Sequence, residues 1–154
     1  MTINISPATL DDVRAVAAAA RQQDRAEVFA ASGRAIEDVL PEGFDKAAMS
    51  WAMRVNDDIC GVAGVCPAPS NPRIGIVWMI GTSALVRHQR AFLRVCRSYA
   101  DEMMGEFSML TNMVHAENTV SIRWLGKLGF TISPKQVWGA KGEEFHLFWR
   151  MSDV

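Results

Sequence analysis

The stretch Leu110-Thr-Asn-Met-Val-His-Ala-Glu-Asn118-Thr-Val-Ser-Ile-Arg-Trp-Leu-Gly-Lys-Leu-Gly129-Phe130 decides the fold of this chain. Its first part, Met109 to Val114, is apolar and predicts a strand. Asn118 supplies turn chemistry, and Thr119 to Leu128 reads as a short amphipathic helix with Gly129 in the usual C-cap position. Phe130 to Ile132 then predicts another short strand.

Moving upstream, the spacing of Leu85, Phe92, Val95, Cys96, Tyr99 and Met103 predicts one long helix over Ser83 to Met104, ended by Gly105. Before it, Ile74 to Ile80 is a nearly continuous apolar run, as expected of a strand buried on both faces. Pro67, Pro69 and Pro72 predict a fixed loop. Met49, Trp51, Met53 and Val55 alternate with smaller or polar residues, and Asn56-Asp57-Asp58 then turns the chain into Ile59 to Cys66, the pattern of an antiparallel hairpin. Arg21 to Phe44 is helical but interrupted, with a break at Gly33 and an end at Pro41. Thr9 and Asp12 mark a helix start ahead of Leu10, Val13, Val16, Ala17 and Ala20, and Ile3 and Ile5 predict a first strand. At the far end Phe145, Leu147 and Trp149 alternate in a closing strand.

This order predicts an α/β (α+β) architecture in a single domain over residues 1–154, with a mixed central sheet of about six to seven strands and helices on both faces. At 154 residues, 49% hydrophobic and 21% charged, the chain suits one well-filled core. A net charge of −1 and a pI near 6.3 argue against a dominant nucleic-acid role, which needs a positive excess. No apolar run approaches the about 20 residues that span a bilayer, and no basic segment leads an apolar one at the N-terminus, so no membrane association and a cytoplasmic location are expected. Cys60, Cys66 and Cys96 are odd in number and lack C-x-x-C spacing, which predicts buried reduced thiols and no metal site.

The segment Asn118-x-x-Ser121-Ile122-x-Trp124-Leu125-x-Lys127-Leu128-Gly129-Phe130 resembles the strand–helix unit of the GCN5-related N-acetyltransferase (GNAT) superfamily, and the order of elements is that of the GNAT fold. The resemblance implies transfer of an acetyl group from acetyl-coenzyme A (acetyl-CoA) to an amine. It also implies two parallel strands, Ile76 to Ile80 and Met109 to Val114, that part to admit pantetheine. Trp78, Met79 and Ile80 are then candidates for main-chain contact with the cosubstrate. Asn118 is a candidate for bonding pantetheine or for capping the helix that follows, two roles that do not exclude each other.

The phosphate-binding glycine pattern of the superfamily is absent, and Leu85-Val-Arg-His-Gln-Arg-Ala91 stands in its place. Arg87 and Arg90 could substitute with charge-assisted bonds near a helix start, while Arg94 and Arg97 read as a solvated continuation of the stripe. Leu125 occupies the position where many members carry a tyrosine that protonates the leaving thiolate. The helix is instead similar to that of the ribosomal-protein N-terminal acetyltransferases, which leaves Ser121 as a donor or as a packing residue.

His115, a titratable group at a strand end beside the cleft, is the first candidate for accepting the amine proton, and Glu117 the second. Over nearly its full length the chain also resembles a family of short-tailed bacteriophage proteins with a GNAT-like domain, some of them internal virion proteins. The carrying residues are Arg21-x-x-Asp24-Arg-x-Glu27-Val, Trp78-Met-Ile-Gly-Thr82, Phe92-Leu-Arg94 and Asn112-x-Val-x-x-x-Asn118. That resemblance implies action in the bacterial host, with a host protein as an acceptor, or packaging into the virion. Asp24 and Glu27, one helical turn apart, either attract the acceptor amine or pair with Arg21 or Arg25. Two functions remain open on the sequence: an N-acetyltransferase, and a non-catalytic virion or host-binding module on the same scaffold.

Overall fold

The computed structural model describes residues 1–152. Seven strands, β1 (Ile3–Pro7), β2 (Met49–Val55), β3 (Asp58–Ala68), β4 (Asn71–Gly81), β5 (Met109–His115), β6 (Thr131–Trp138) and β7 (Glu143–Met151), form one sheet in the order β1-β2-β3-β4-β5-β7-β6. Every neighbouring pair is antiparallel except β4 and β5. Helices α1 (Leu10–Ala18), α2 (Gln22–Ser32) and α3 (Ile36–Lys46) come before β2. Next come α4 (Ser83–Arg87) and α5 (Gln89–Met104) after β4, and α6 (Thr119–Lys127) after β5.

The two faces of the sheet carry separate cores because side chains alternate along each strand. On one face Val13, Val16, Ala17, Ile36 and Leu40 from α1 and α3 pack on Ala52, Val62 and Ile80. On the other, Phe92 and Leu85 of the α4–α5 region meet Met53, Val55 and Cys60, while Ile122 and Leu125 of α6, with Leu128 just after it, join Leu110, Val114, Phe130 and Phe148. No helix is long and apolar enough to cross a membrane among the described residues.

Local chemistry sets the element ends. Thr9 and Asp12 form a reciprocal capping box at the start of α1, so two otherwise orphaned N–H groups are satisfied. Arg25 donates to the α1 carbonyls of Ala17 (2.7 Å) and Ala18 (3.0 Å) and pairs with Glu37, tying three helices together. Asn56 and Asp57 both adopt positive φ, 49° and 71°, which joins β2 to β3 by a tight turn. Gly129 sits at φ 89° after α6, where a Cβ would be strained.

Four expectations need correction. Pro41 does not end the helix: α3 runs through it to Lys46, because losing one N–H is outweighed by Ile36, Leu40 and Phe44, one turn apart, packing on the sheet. The three prolines do not make a loop. Pro67 and Pro72 lie within β3 and β4, Ala68 pairs with Asn71, and the register shifts beside Pro67, which has no N–H to give the ladder. The long helix is broken at His88, whose φ and ψ of −109° and 24° separate α4 from α5. The strand beginning near Phe130 continues to Trp138, because β7 pairs with it on both sides of an irregularity at Ser133 and Pro134.

Candidate active site

Backbone pairing between β4 and β5 stops early. Ile74, Gly75 and Ile76 pair with Met109, Leu110 and Thr111, and beyond Ile76 the two strands part. The expected opening between the central strands is therefore present.

Which groups face this fork follows from the outer neighbours. Thr82 N–H bonds Cys60 C=O, in register with the Ile80–Val62 and Trp78–Gly64 pairs, so alternate residues of β4 turn their backbone groups toward β3. Val77, Met79 and Gly81 face β5 instead. Likewise Ala116 N–H bonds Glu144 C=O, in register with the Val114–His146 pair, which turns Met113 and His115 toward β4.

Most of these groups are claimed by side chains. Asn112 donates from Nδ2 to Val77 C=O (2.7 Å) and accepts Met113 N–H at Oδ1 (2.7 Å), bridging the strands where their pairing ends. Asp24 accepts Gly81 N–H (3.1 Å) on one arm, and Glu27 accepts His115 N–H (2.6 Å) on the other. Of the three backbone units that Trp78, Met79 and Ile80 were expected to offer, Met79 alone has both its N–H and C=O toward the fork. Trp78 and Ile80 spend theirs on β3.

Asp24 and Glu27 are thus not exposed partners in a surface ion pair. They project from α2 into the fork, with Arg21 beside Asp24 (3.6 Å) and Asn118 donating to Asp24 (3.5 Å) and Glu27 (3.3 Å). Asn118 is fully buried. Its Oδ1 accepts Ser121 N–H (3.4 Å), capping α6, and Arg21 Nη2 (3.3 Å). Burial pushes the Glu27 carboxyl up to about 7; the His115 N–H and Asn118 oppose this, and the negative charge of Asp24 reinforces it. Burial also raises Asp24, against the opposing effects of Arg21, the Gly81 N–H and Asn118.

A cavity of about 400 Å³ passes through the fork and reaches both faces of the sheet. Among the described residues, Glu27 is the only charged one lining it. Trp78, Met79, Ile80, Asn112, Ser121 and Leu125 also contribute to its wall. Ser121 is held on the first turn of α6, and Leu125 occupies the next turn of the same helix.

The other sequence candidates lie elsewhere. His115 is buried but outside the cavity wall. Its Nδ1 accepts Glu117 N–H (3.2 Å), its Nε2 meets Glu143 (2.9 Å), and its ring stands edge-on to Phe145. This network puts the proton on Nε2 and leaves no free ring nitrogen for an acceptor amine. Glu117 is exposed on the connecting turn. Arg87 and Arg90 are exposed at the α4–α5 junction, with Arg87 bonding Ser83 Oγ (3.2 Å). Tyr99 lines the cavity from the far side, stacked edge-on against Trp51. The three cysteines are free thiols. Burial pushes Cys60 and Cys96 up to about 11 and raises Cys66, so none is a ready nucleophile. Sequence reasoning missed Asn112 as a site residue, although a lone amide in an otherwise apolar strand was a visible signal.

No protein-family model matches the sequence. No curated protein matches it either. Solved structures do. An acetyltransferase of the GNAT family from Streptococcus pneumoniae superposes with a TM-score of 0.69 at 15% identity, over 97% of this chain and 99% of that one. The ribosomal-protein-S18-alanine N-acetyltransferase of Escherichia coli gives 0.68 at 13% identity, over 99% and 96%. A candidate acetyltransferase of Salmonella typhimurium, solved with its cofactor acetyl-CoA, gives 0.68 at 14% identity, over 99% and 95%. The architecture is the GNAT fold, a mixed seven-stranded sheet with helices on both faces, as the sequence predicted.

Proposed function

We propose that this protein is an N-acyltransferase of the GNAT type, which moves an acyl group, acetyl in the simplest case, from a coenzyme A thioester to an amine by direct attack. The observation that carries the reading is Glu27: a carboxylate with its pKa raised to about 7, the one charged group among the described residues that line the cavity at the parting of β4 and β5. The Salmonella neighbour's acetyl-CoA supports the same ligand class here.

The cavity fits such a ligand. The Met79 N–H and C=O face the fork without a strand partner and suit the amides of pantetheine, and Arg87 and Arg90 stand exposed where a pyrophosphate would be met. The thioester supplies an acyl carbon open to attack and a thiolate leaving group. Glu27 accepts the proton of the attacking amine as the C–N bond forms and the C–S bond breaks. Ser121 lines the wall from α6 and donates a hydrogen bond toward the departing sulfur. Asp24, one helical turn from Glu27 on α2, adds a second carboxyl group on that side toward an acceptor amine. His115 and Glu117 act as positioning residues, since they fix the end of β5 from which Glu27 takes its hydrogen bond. The bacteriophage resemblance supports a host protein as acceptor and the host cytoplasm as the place of action.

A second reading, a non-catalytic binding module, is favoured by one specific fact. Asn112, Asp24 and Glu27 already satisfy four fork-facing backbone groups, which leaves little for a ligand to replace. Calorimetric titration with acetyl-CoA separates the two. Saturable binding supports the transferase, and no heat at millimolar ligand leaves only the binding module.

A further inference from the structure

The cavity does not end at the fork. On the face covered by α5 it continues across the sheet beneath the helix. Met79, Ala63 and Trp51 are register partners on adjacent strands, so they form a row from the fork edge toward β2. All three keep accessible surface although α5 lies over them, whereas Met53 and Val65 nearby are buried. The helix presents Cys96 and Ala100 to the same cavity, and small residues on both floor and roof are what leave the space open. The far end is lined by Ile5 of β1 together with Trp51 and Tyr99, whose rings meet edge-on at 5.2 Å between centroids.

Protein interiors are ordinarily packed without voids of this kind, and a dry apolar chamber gains most from an apolar guest. Two interstrand spacings give the row a length on the order of 10 Å, about that of a chain of six to eight carbons. Its mouth is at Met79, the residue whose backbone units face the fork.

Building on the transferase reading above, we infer that the chamber under α5 is an acyl-chain subsite, and that the preferred donor is a medium-chain acyl-CoA, with the chain running from Met79 past Ala63 to the Trp51–Tyr99 wall. The reaction balances as before: the amine nitrogen bonds the acyl carbon, the thiolate leaves, and the proton passes to Glu27.

Calorimetric titration of the full chain with free coenzyme A, acetyl-CoA and hexanoyl-CoA tests this. Each buried methylene contributes about fourfold in affinity, so four more methylenes set a ceiling of roughly 200-fold. Hexanoyl-CoA is expected to bind at least tenfold more tightly than acetyl-CoA. In Cys96→Leu or Ala63→Leu, which fill the chamber, that ratio is expected to drop below threefold; either variant suffices if the other does not fold. Equal binding of the two thioesters by the wild type overturns the subsite and leaves the transferase reading standing. So does a hexanoyl preference that survives in the filled variants. No binding of coenzyme A or either thioester overturns both.

Discussion

Asn112 Nδ2 lies 2.7 Å from the carbonyl oxygen of Val77, at the point where β4 and β5 cease to pair. The same amide takes the Met113 N–H at Oδ1, so a side chain does for one step what the ladder did before it. Splayed strands expose polar backbone to an apolar interior, and each unpaired group there costs free energy. The amide limits that cost while keeping the strands apart.

Replacing Asn112 by Ala orphans both backbone groups. Each buried unsatisfied group costs about 1–3 kcal/mol, so Asn112→Ala is expected to lose roughly 2–4 kcal/mol in urea denaturation. A loss below about 0.5 kcal/mol would mean that water replaces the amide without penalty and that the bridge is dispensable.

Glu27 makes stability depend on pH with a definite sign. Its pKa rises from 4.5 to about 7 on folding, so the folded state holds the proton more tightly. The associated stability is fully present below about pH 4.5 and is lost as pH rises through about 7, by roughly 3 kcal/mol at most. Glu27→Gln removes this dependence and is expected to gain stability relative to wild type between pH 5 and 8. Parallel denaturation curves at the two pH values would contradict the raised pKa.

If Glu27 accepts the amine proton, transfer to a peptide amine should rise with pH to a plateau through an apparent pKa near 7. Glu27→Gln should lower kcat by about 10²–10⁴ while leaving coenzyme A binding in place. An unaltered rate in the variant would return the role to solvent.

The exposed Arg87 and Arg90 are expected to meet phosphate. Arg87→Ala with Arg90→Ala should weaken acetyl-CoA binding about tenfold and flatten its salt dependence, since charge-assisted contacts are lost. Affinity and salt slope both unchanged would remove these residues from the site.

Gly64 leaves no room for a side chain. A Cβ there would stand 2.4 Å from the ring of Trp78, the register partner of Gly64 on β4. Gly64→Ala is expected to cost about 1–3 kcal/mol in thermal or chemical unfolding, because the ring must move under α3. A neutral substitution would show that the indole is free to shift.

What the sequence alone determined is what short-range chemistry fixes. The Thr9–Asp12 box, the Asn56-Asp57 turn, the Asn118 cap and the glycine after α6 all lie within a few residues of their partners, and the apolar periods named each element before its neighbours were known. Pro41 and His88 escaped because packing overrode one and bent the other. The fork itself was expected only through resemblance. What fills it was decided by tertiary structure: Glu27 meets the His115 N–H across 88 positions, and Asn112 meets Val77 across 35. Those distances in sequence carry no period or spacing, so a residue read either as an acceptor-site carboxylate or as a partner of Arg21 or Arg25 became a buried carboxylate bonded to the β5 backbone. Its raised pKa exists only because folding removed water from around it.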